Sequence, residues 1–331
     1  MLKPPRLLLL AAIGLGAYYF VTHYRLEGLE NIEVQPLGGS PAGSPSPDPP
    51  GAAPQIAPKK KPTIRIATAN LGPLDRRKLD DRNIAPLLGE IIRRYDVVAV
   101  QDVRGQSQGL VLDLLEIVNQ GGGTYDFAID RRVGREPVET YAAYFFDRAV
   151  VEIDRTTVGE VNDPADQFLH KPLVAAFRVR GPRPEEAFTF TLINVQVDPA
   201  QAELELDLLA GVFRAVRGDG RGEDDVIVLG SLGTDEQGLG GLGRIAHLMW
   251  SVAGRPTTTL GTRLADNILF DSQATTEFVG RSGVLDLIQE FDLTIRQAIE
   301  VSDHLPVWAE FSSYEGGQVG RIAEANSGAA R

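Results

Sequence analysis

Ser302, Asp303 and His304 follow one another near the end of the chain, directly before an apolar segment at residues 307–311. A histidine can carry a positive charge near neutral pH and can then donate to a phosphate oxygen, while an adjacent carboxylate can bind a metal ion. Taken alone, such a pair is more typical of an ordinary loop. The pair gains weight because other polar residues also stand where predicted strands end.

Polar side chains recur at the predicted strand ends. They are Asn70, Gln101, Asp102, Arg104, Asn194, Gln196, Asp266, Asp303 and His304, with Glu139 just before a strand. Carboxylates with few imidazoles and no thiolates suit hard ions such as Mg²⁺ or Ca²⁺. Such an ion and such side chains together serve phosphodiester hydrolysis. For each residue singly, a turn or capping role is the alternative, and only the joint recurrence favours a site.

The composition excludes several classes of function. The 331 residues include 45 acidic and 33 basic ones, and the formal net charge is −12. A negative protein is repelled by nucleic acid unless its basic residues cluster, and the chain has only short basic runs such as Lys59 to Lys61. There is therefore no strong signal for nucleic-acid binding. The absence of cysteine excludes disulfides, thiolate zinc sites and cysteine nucleophiles. Nothing in the sequence defines an oligomeric state.

Residues 1–25 are predicted to anchor the chain in a membrane. Lys3 and Arg6 precede an uncharged run from Leu7 to Tyr24, which approaches the roughly 20 residues that span a bilayer. A cleaved signal peptide and a soluble core segment are the alternatives. The flanking charges favour a cytoplasmic N-terminus and an extracytoplasmic main domain, periplasmic or on the cell surface. If the segment is cleaved, the protein is secreted.

The remaining chain divides into three parts. Residues 26–62 form a predicted linker, because eight of residues 38–62 are proline and glycine and serine fill much of the rest. Residues 63–313 have the apolar patterning of one domain. Residues 314–331 are polar and rich in glycine, which predicts a disordered tail.

The pattern within residues 63–313 predicts an α/β (α+β) domain with many strands. Alternation at residues 63–69 predicts a half-buried strand, and apolar runs at 96–100 and 226–229 predict strands covered on both faces. Helical spacing occurs at residues 84–95, 110–118 and 200–216, and further strands are predicted at 125–129, 141–146, 150–154, 173–179, 188–195, 267–270 and 307–311. Many strands with few long helices indicate two sheets packed face to face with helices outside.

Two further segments have weaker signals. Residues 238–243 satisfy the GxGxxG pattern but do not directly follow a strand, so a flexible loop is predicted there rather than a dinucleotide site. Residues 245–250 have helical spacing, which places His247 in a packed or edge position of a helix.

Seven segments occur in an order that resembles the endonuclease/exonuclease/phosphatase family, and deoxyribonuclease I-like domains in particular. They are residues 66–71, 98–104, 139–141, 192–199, 228–235, 265–268 and 302–306. The resemblance covers residues 63–313. It implies a four-layer sandwich of two packed mixed β-sheets flanked by helices, and a phosphodiesterase or phosphatase that depends on Mg²⁺, with Mn²⁺ or Ca²⁺ as alternatives.

The resemblance also assigns roles to individual residues. The catalytic positions are His304, Asp266, Asp303, Glu139, Gln196 and Ser231. Asn70, Arg104, Gly233 and His170 stand at phosphate-contacting positions, and Asp102 and Asp303 at metal-binding positions. Asp266 is expected to hold the His304 imidazole in place and to favour its charged form.

Four of these positions depart from the family pattern. Gln196 stands where the family has a catalytic histidine, and an amide has no proton to donate near neutral pH. Ser231 and Gly233 replace the Asp and Asn of the Gly-Asp-x-Asn signature, and Asp102 replaces a glutamate.

Each lost acid–base role typically costs about 10²–10⁴ in rate. We therefore expect a retained fold with a degraded site, a pseudoenzyme that binds a phosphate-containing ligand or a metal ion. The alternative is an active Mg²⁺-dependent nuclease, phosphatase or phosphodiesterase with altered residues, in which Asp235 replaces the lost base.

Overall fold

The computed structural model describes residues 56–105, 109–129 and 140–317. The predicted membrane segment, most of the linker, Glu139 and most of the tail lie outside these residues. The strands are β1 Thr63–Leu74, β2 Val97–Arg104, β3 Tyr125–Ile129, β4 Thr140–Asp147, β5 Val151–Glu160, β6 Leu173–Val179, β7 Thr189–Gln196, β8 Val226–Ser231, β9 Leu248–Trp250, β10 Asp266–Asp271, β11 Phe278–Val284 and β12 Val307–Ser312. The helices are α1 Arg76–Asp80, α2 Ile84–Arg93, α3 Gly109–Asn119, α4 Ala202–Arg217, α5 Gly240–Gly243, α6 Leu287–Phe291 and α7 Ile295–Val301.

These strands form two six-stranded mixed sheets. The first has the order β11-β12-β1-β2-β4-β3 and the second the order β5-β6-β7-β8-β10-β9. Only β1–β2 and β7–β8 are parallel pairs within the described ladders, and the other pairs are antiparallel. Each sheet thus contains one parallel pair whose carboxyl ends lie side by side.

Three apolar layers hold these elements together. Aromatic residues including Phe177, Phe190 and Phe311 fill the core between the two sheets. The helices α2, α3, α6 and α7 cover the outer face of the first sheet, and α4 and α5 cover that of the second. The result is a helix–sheet–sheet–helix sandwich, which confirms the predicted architecture.

A polar contact crosses the core between the two sheets. The Nε2 amide of Gln101 donates to Asn194 Oδ1 at 2.6 Å, and Asn194 Nδ2 donates to Ala143 O at 3.1 Å. Both side chains are at most 1% exposed. Since buried amides are costly unless they are paired, this contact fixes how β2 sits on β7.

The two ends of the domain lie next to each other. Ser313 N donates to Pro62 O at 2.9 Å, beyond the antiparallel pairing of Thr63 with Ser312. Within the predicted linker, the Nζ ammonium of Lys59 lies 2.7 Å from Asp147. After β12, the chain continues into a 3₁₀ turn at Glu315–Gly317.

Several local predictions were wrong. Residues 248–250 form a strand rather than part of a helix, because they pair with the edge of β10 in an antiparallel ladder. His247 is exposed and has a left-handed backbone at φ 60°. Gly240–Gly243 is a short helix rather than a loop. The sequence patterns did not reveal β11, α1, α6 or α7. No helix among the described residues has the length and apolar character needed to cross a membrane.

Candidate active site

The sheet registers align the predicted polar residues in two rows. In the second sheet, Gln196 pairs with Ser231 across β7–β8, and Ser231 pairs with Asp266 across β8–β10. In the first sheet, Asn70 pairs with Gln101 across β1–β2. A hydrogen bond of 3.0 Å from Asn70 Nδ2 to Ser231 Oγ connects the rows. These five residues therefore lie at the same end of the sandwich.

The Asp266 carboxylate and the His304 imidazole form the centre of this site. His304 Nδ1 lies 2.7 Å from Asp266 Oδ2, and the side chains are 14% and 2% exposed, respectively. Burial lowers the pKa of His304, but the hydrogen bond to Asp266 and the charges of Asp266 and Asp303 outweigh it, so the pKa is raised. The imidazole therefore stays protonated to a higher pH than a free histidine, and Nε2 is the nitrogen left for a ligand.

Asp266 is held by hydroxyl groups as well as by the imidazole. Ser231 Oγ donates to Asp266 Oδ1 at 2.6 Å, and Thr257 Oγ1 donates to Oδ2 at 3.0 Å. Asn70 in turn donates to Ser231 and accepts from Gly72 N at 3.0 Å. Ser231 therefore supports the carboxylate of Asp266. It does not offer a second carboxylate to accept a proton.

The threonine segment before Asp266 positions the loop that carries His304. Leu305 N donates to Thr257 O at 2.6 Å, Thr259 N donates to Asp303 O at 2.9 Å, and Thr259 Oγ1 donates to Ser302 O at 2.6 Å. Thr257 is fully buried. Sequence reasoning missed these residues, although the run Thr257-Thr258-Thr259 was a visible signal.

Asp102 is paired with Arg104. Arg104 Nε donates to Asp102 Oδ1 at 2.6 Å, and Arg104 Nη2 donates to Oδ2 at 2.9 Å. The backbone of Asp102 is left-handed, at φ 56°, and its N–H donates to Gln196 Oε1 at 3.1 Å. Its carboxylate packs so closely on Gly72 that a Cβ added there would lie 2.0 Å from Oδ2. The Gln196 side chain therefore binds the backbone N–H of Asp102, and the Asp102 carboxylate binds the guanidinium of Arg104.

Lys78 is a buried cation beside the site that sequence reasoning missed. Its Nζ donates to Leu71 O at 2.8 Å, Gly72 O at 3.1 Å and Val301 O at 2.8 Å, and the residue is 5% exposed. Burial lowers its pKa to about 8, against the raising effect of Asp303. Lys78 thus connects the end of β1 to the end of α7. Its acceptors are backbone carbonyls of distant segments, which leave no mark in the sequence.

His170 lies close to the Asp102 side of the site. Burial lowers its pKa, and the nearby charges of Asp102 and Asp198 only partly offset this. Its Nδ1 is buried without a hydrogen-bond partner in the described part of the chain. The lowered pKa makes His170 a weaker cation for a phosphate contact than a free histidine would be.

The other predicted residues lie at the rim. Gly233 has a φ of 71° and lines a cavity of about 480 Å³ with Arg255 and Arg263. Asp303 is exposed and lines a second cavity, of about 560 Å³, with Lys78. Glu139 lies outside the described residues, so its predicted place in the site has no structural counterpart here.

Asp235 does not take the place of the missing carboxylate at position 231. Its Oδ1 accepts from Gln237 N at 3.0 Å and from Gly238 N at 3.2 Å, and the side chain is exposed. It therefore caps its own turn. The expectation that Asp235 replaces the lost base is not supported by this geometry.

Comparison with known proteins agrees with this fold. No protein-family model matches the chain. Deoxyribonuclease-1-like 2 of Mus musculus is 26% identical over 263 residues, which cover 76% of this chain and 92% of the relative. Deoxyribonuclease gamma of Homo sapiens is 24% identical over 265 residues, covering 74% and 84%. Humanized TDP2 of D. rerio superimposes with a TM-score of 0.53 at 15% identity, covering 76% of this chain and 100% of that structure. The chain is therefore similar to deoxyribonuclease I-like proteins, and its domain has the fold of the endonuclease/exonuclease/phosphatase family.

A divalent ion, which resemblance to this family implies, does not fit the described side chains as they stand. Both oxygens of Asp102 accept from Arg104, and the charge of Lys78 lies close to Asp102 and Asp303. Within the described ranges, the groups of three His, Asp or Glu side chains that could share one ion lie elsewhere. An ion at Asp102 would require Arg104 to leave. We therefore assign no catalytic step to a metal ion.

Proposed function

We propose that this deoxyribonuclease I-like domain is a pseudoenzyme that binds a phosphate ester. The observation that carries the proposal is the hydrogen-bonded series Asn70–Ser231–Asp266–His304, which is complete on one side of the site. On the other side, the amide of Gln196 holds the backbone of Asp102. The site thus retains a cation for a phosphate but lacks a second group for proton transfer.

The retained side suits phosphate binding. Asp266 fixes the tautomer and orientation of His304 through Nδ1, so Nε2–H points to a ligand as a charged donor. The raised pKa of His304 keeps this donor charged to higher pH. Hydrogen bonds from charged donors are roughly twice as strong as neutral ones. Binding of an anion therefore requires no further group to ionise.

The other side lacks the chemistry of turnover. Gln196 has no titratable proton, and Ser231 donates its only proton to Asp266. Gly233 offers no side chain to the ligand. Because each missing acid–base role typically costs about 10²–10⁴ in rate, the loss of these roles together leaves little of the family chemistry.

An active metal-dependent nuclease, phosphatase or phosphodiesterase is the alternative. It is favoured by the intact pair of Asp266 and His304 and by the deoxyribonuclease names of the relatives. In that case Arg104 would leave Asp102 and bind the substrate phosphate. The freed carboxylate of Asp102 would hold a Mg²⁺ or Mn²⁺ ion.

Measurements of hydrolysis and of ligand binding distinguish the pseudoenzyme from the active enzyme. The full chain with Mg²⁺ or Mn²⁺ should hydrolyse neither bis(p-nitrophenyl) phosphate nor DNA faster than buffer does. It should still bind bis(p-nitrophenyl) phosphate in calorimetry, and His304→Ala should abolish this binding because it removes the charged donor. The triple variant Gln196→His, Ser231→Asp, Gly233→Asn should raise hydrolysis by about 10²-fold or more. Gly233 can accept Asn, since no atom lies within 4 Å of the place that a Cβ would occupy and Asn tolerates a positive φ.

Metal-dependent hydrolysis by the wild-type chain that disappears in His304→Ala would sink the pseudoenzyme proposal and establish the alternative. Binding that is equally strong in His304→Ala would show that the phosphate site lies elsewhere.

We further propose that residues 1–25 hold the domain at the extracytoplasmic face of a membrane. The support is the uncharged run at residues 7–24 behind Lys3 and Arg6. The full chain should sediment with membranes after a carbonate wash, whereas a chain of residues 26–331 should stay in the supernatant. Protease added to intact cells should digest the domain. A full-length chain in the supernatant, or a mature N-terminus inside residues 14–30, would contradict the anchor.

A further inference from the structure

A cluster of three carboxylates lies at the end of the domain away from the candidate active site. Asp225 precedes β8, Glu277 precedes β11, and Glu315 follows β12. Their ligand oxygens all lie within 4.8 Å of one another. Ser231 stands at the other end of β8, about 20 Å from Asp225 at roughly 3.3 Å per strand residue. The cluster is therefore separate from the residues around His304.

Two of these side chains are buried with unpaired oxygens. Asp225 and Glu277 are each 1% exposed, and Asp225 Oδ1 and Glu277 Oε2 have no hydrogen-bond partner among the described residues. The other oxygen of Glu277 accepts from Gly316 N at 2.5 Å. Buried carboxylate oxygens are costly unless a donor or a cation satisfies them. Within the described residues, no donor pairs with these two oxygens, and the side chains of Asp225 and Glu277 lie within hydrogen-bond reach of each other.

The other buried carboxylates of the domain do have partners. Asp96, Asp102, Asp147, Asp266, Asp271 and Glu310 each face a lysine, arginine or histidine, and Glu205 accepts from two backbone amides. In the described part of the chain, none of the three cluster carboxylates forms such an ion pair.

Neighbouring carboxylates make the ionised form of the cluster still less favourable. Burial, followed by the charge of Glu277, raises the pKa of Asp225 to about 9, and Glu315 and Glu223 act in the same direction. Burial likewise raises the pKa of Glu277 and of Glu315. Without a cation, such a group retains protons at neutral pH. A divalent ion would displace these protons and balance the carboxylates.

We propose that Asp225, Glu277 and Glu315 bind a calcium ion. Oxygens within 4.8 Å of one another match a shared ion about 2.4 Å from each, the distance that Ca²⁺ prefers. Carboxylates from three separate segments form an irregular set, which suits Ca²⁺ better than the strict octahedron of Mg²⁺. Glu315 is exposed, so water can complete the coordination from that side.

The ion would connect the turn after β12 to the starts of β8 and β11. In the structure, the Glu315 carboxylate accepts from Thr189 N at 3.2 Å. A ligand that binds only the folded state stabilises it in proportion to the logarithm of its concentration. Ca²⁺ should therefore raise the melting temperature of the protein.

The test compares melting of the full chain in EDTA with melting in CaCl₂, together with calorimetric Ca²⁺ binding. At 100 times the dissociation constant, Ca²⁺ should raise the melting temperature by about 5 °C. The double variant Asp225→Asn, Glu315→Gln should lose both the shift and the binding. In EDTA it should melt no lower than wild type, because Asn and Gln replace carboxyl groups whose burial is unfavourable. Loss of binding would then not reflect unfolding.

The matched control is Asp102→Asn, Asp303→Asn, which changes two carboxylates of the candidate active site. This variant should keep the full Ca²⁺ shift. Loss of the shift in the control but not in the Asp225 variant would place the ion in the active site and overturn the proposal. A wild-type melting temperature that ignores Ca²⁺ and falls as pH rises from 6 to 9 would also overturn it, because the cluster would then hold protons only. A larger shift with MgCl₂ would overturn the choice of calcium.

Discussion

Asp266→Asn is expected to lower the pKa of the His304 imidazole and to destabilise the domain by about 2–4 kcal/mol at pH 6. In the wild-type site, the carboxylate accepts from Ser231, Thr257 and the imidazole while only 2% exposed. An asparagine side chain has one acceptor oxygen and one donor amide, so at least one of these donors faces another donor. The imidazolium also loses its adjacent negative charge.

The stability that Asp266→Asn removes should decrease as pH rises. Because the folded-state pKa of His304 is raised, its contribution to stability is complete below the unfolded-state value of about 6.5. It is lost as pH rises through the folded-state pKa. The difference in unfolding free energy between wild type and Asp266→Asn should therefore be larger at pH 6 than at pH 9. Denaturant titrations measure this difference, and NMR titration of the imidazole measures its pKa.

Asp303→Asn is the matched control, because its charge acts on the same imidazole from an exposed side chain. It should lower the pKa of His304 less and change stability little. If Asp266→Asn left the imidazole pKa unchanged, the contact between the two residues would not be what charges His304.

Lys78→Met is expected to cost about 1–3 kcal/mol at pH 7 and more at higher pH. The substitution leaves the carbonyls of Leu71, Gly72 and Val301 without their donor, although methionine fills much of the same volume. The ends of β1 and α7 would lose their connection. Since Val301 directly precedes Ser302, the loop of His304 should become more mobile, and amide hydrogen exchange should detect this.

The pH dependence follows from the lowered pKa of about 8 for Lys78. The unfolded lysine, with a pKa near 10.5, still binds a proton when the folded one has released it. Stability of the wild type therefore gains from this residue as pH rises from about 8 to 10.5. The gap between wild type and Lys78→Met should widen by about 2 kcal/mol between pH 7 and 9.5.

Denaturant unfolding of wild type and Lys78→Met at several pH values below 10 gives this difference in unfolding free energy. His304 is present in both proteins, so its contribution cancels in the difference. The exposed Lys60 provides the control, because Lys60→Met should leave stability and its pH dependence unchanged. A gap that narrows as pH rises would mean that the buried ammonium is not destabilised by burial.

Most strands could be predicted because a buried strand appears in the sequence as an apolar run or an alternation of apolar and polar residues. The apolar runs at residues 96–100 and 226–229 belong to β2 and β8, which are covered on both faces. By contrast, β11 contains Gly280 and Gly283, and its register against β12 shifts between Phe278 and Ser282. Such a strand has no regular alternation to detect. The strand Leu248–Trp250 depends on pairing with β10, which local spacing does not report.

The site could be predicted only in part for a related reason. Asp266 and His304 stand in segments whose order resembles a family, and the structure places them in contact. Asp102 pairs with Arg104 and has a left-handed backbone, and the residue types alone specify neither feature. The burial of Lys78 depends on backbone carbonyls from two other segments. The contact of Lys78 with a main-chain carbonyl 223 residues away follows from tertiary structure alone.

The adjacency of the domain ends has a mechanical consequence. Thr63 begins β1 opposite Ser312 at the end of β12, and the chain enters and leaves the domain at that one edge. Tension between the two ends would pull these strands apart along their hydrogen bonds, which lie perpendicular to the strands of an antiparallel pair. The bonds would carry the load one after another instead of sharing it. The membrane attachment proposed above would use only the N-terminal end. It would then transmit no such tension through the β-sandwich, and a pull on that end would not open the domain.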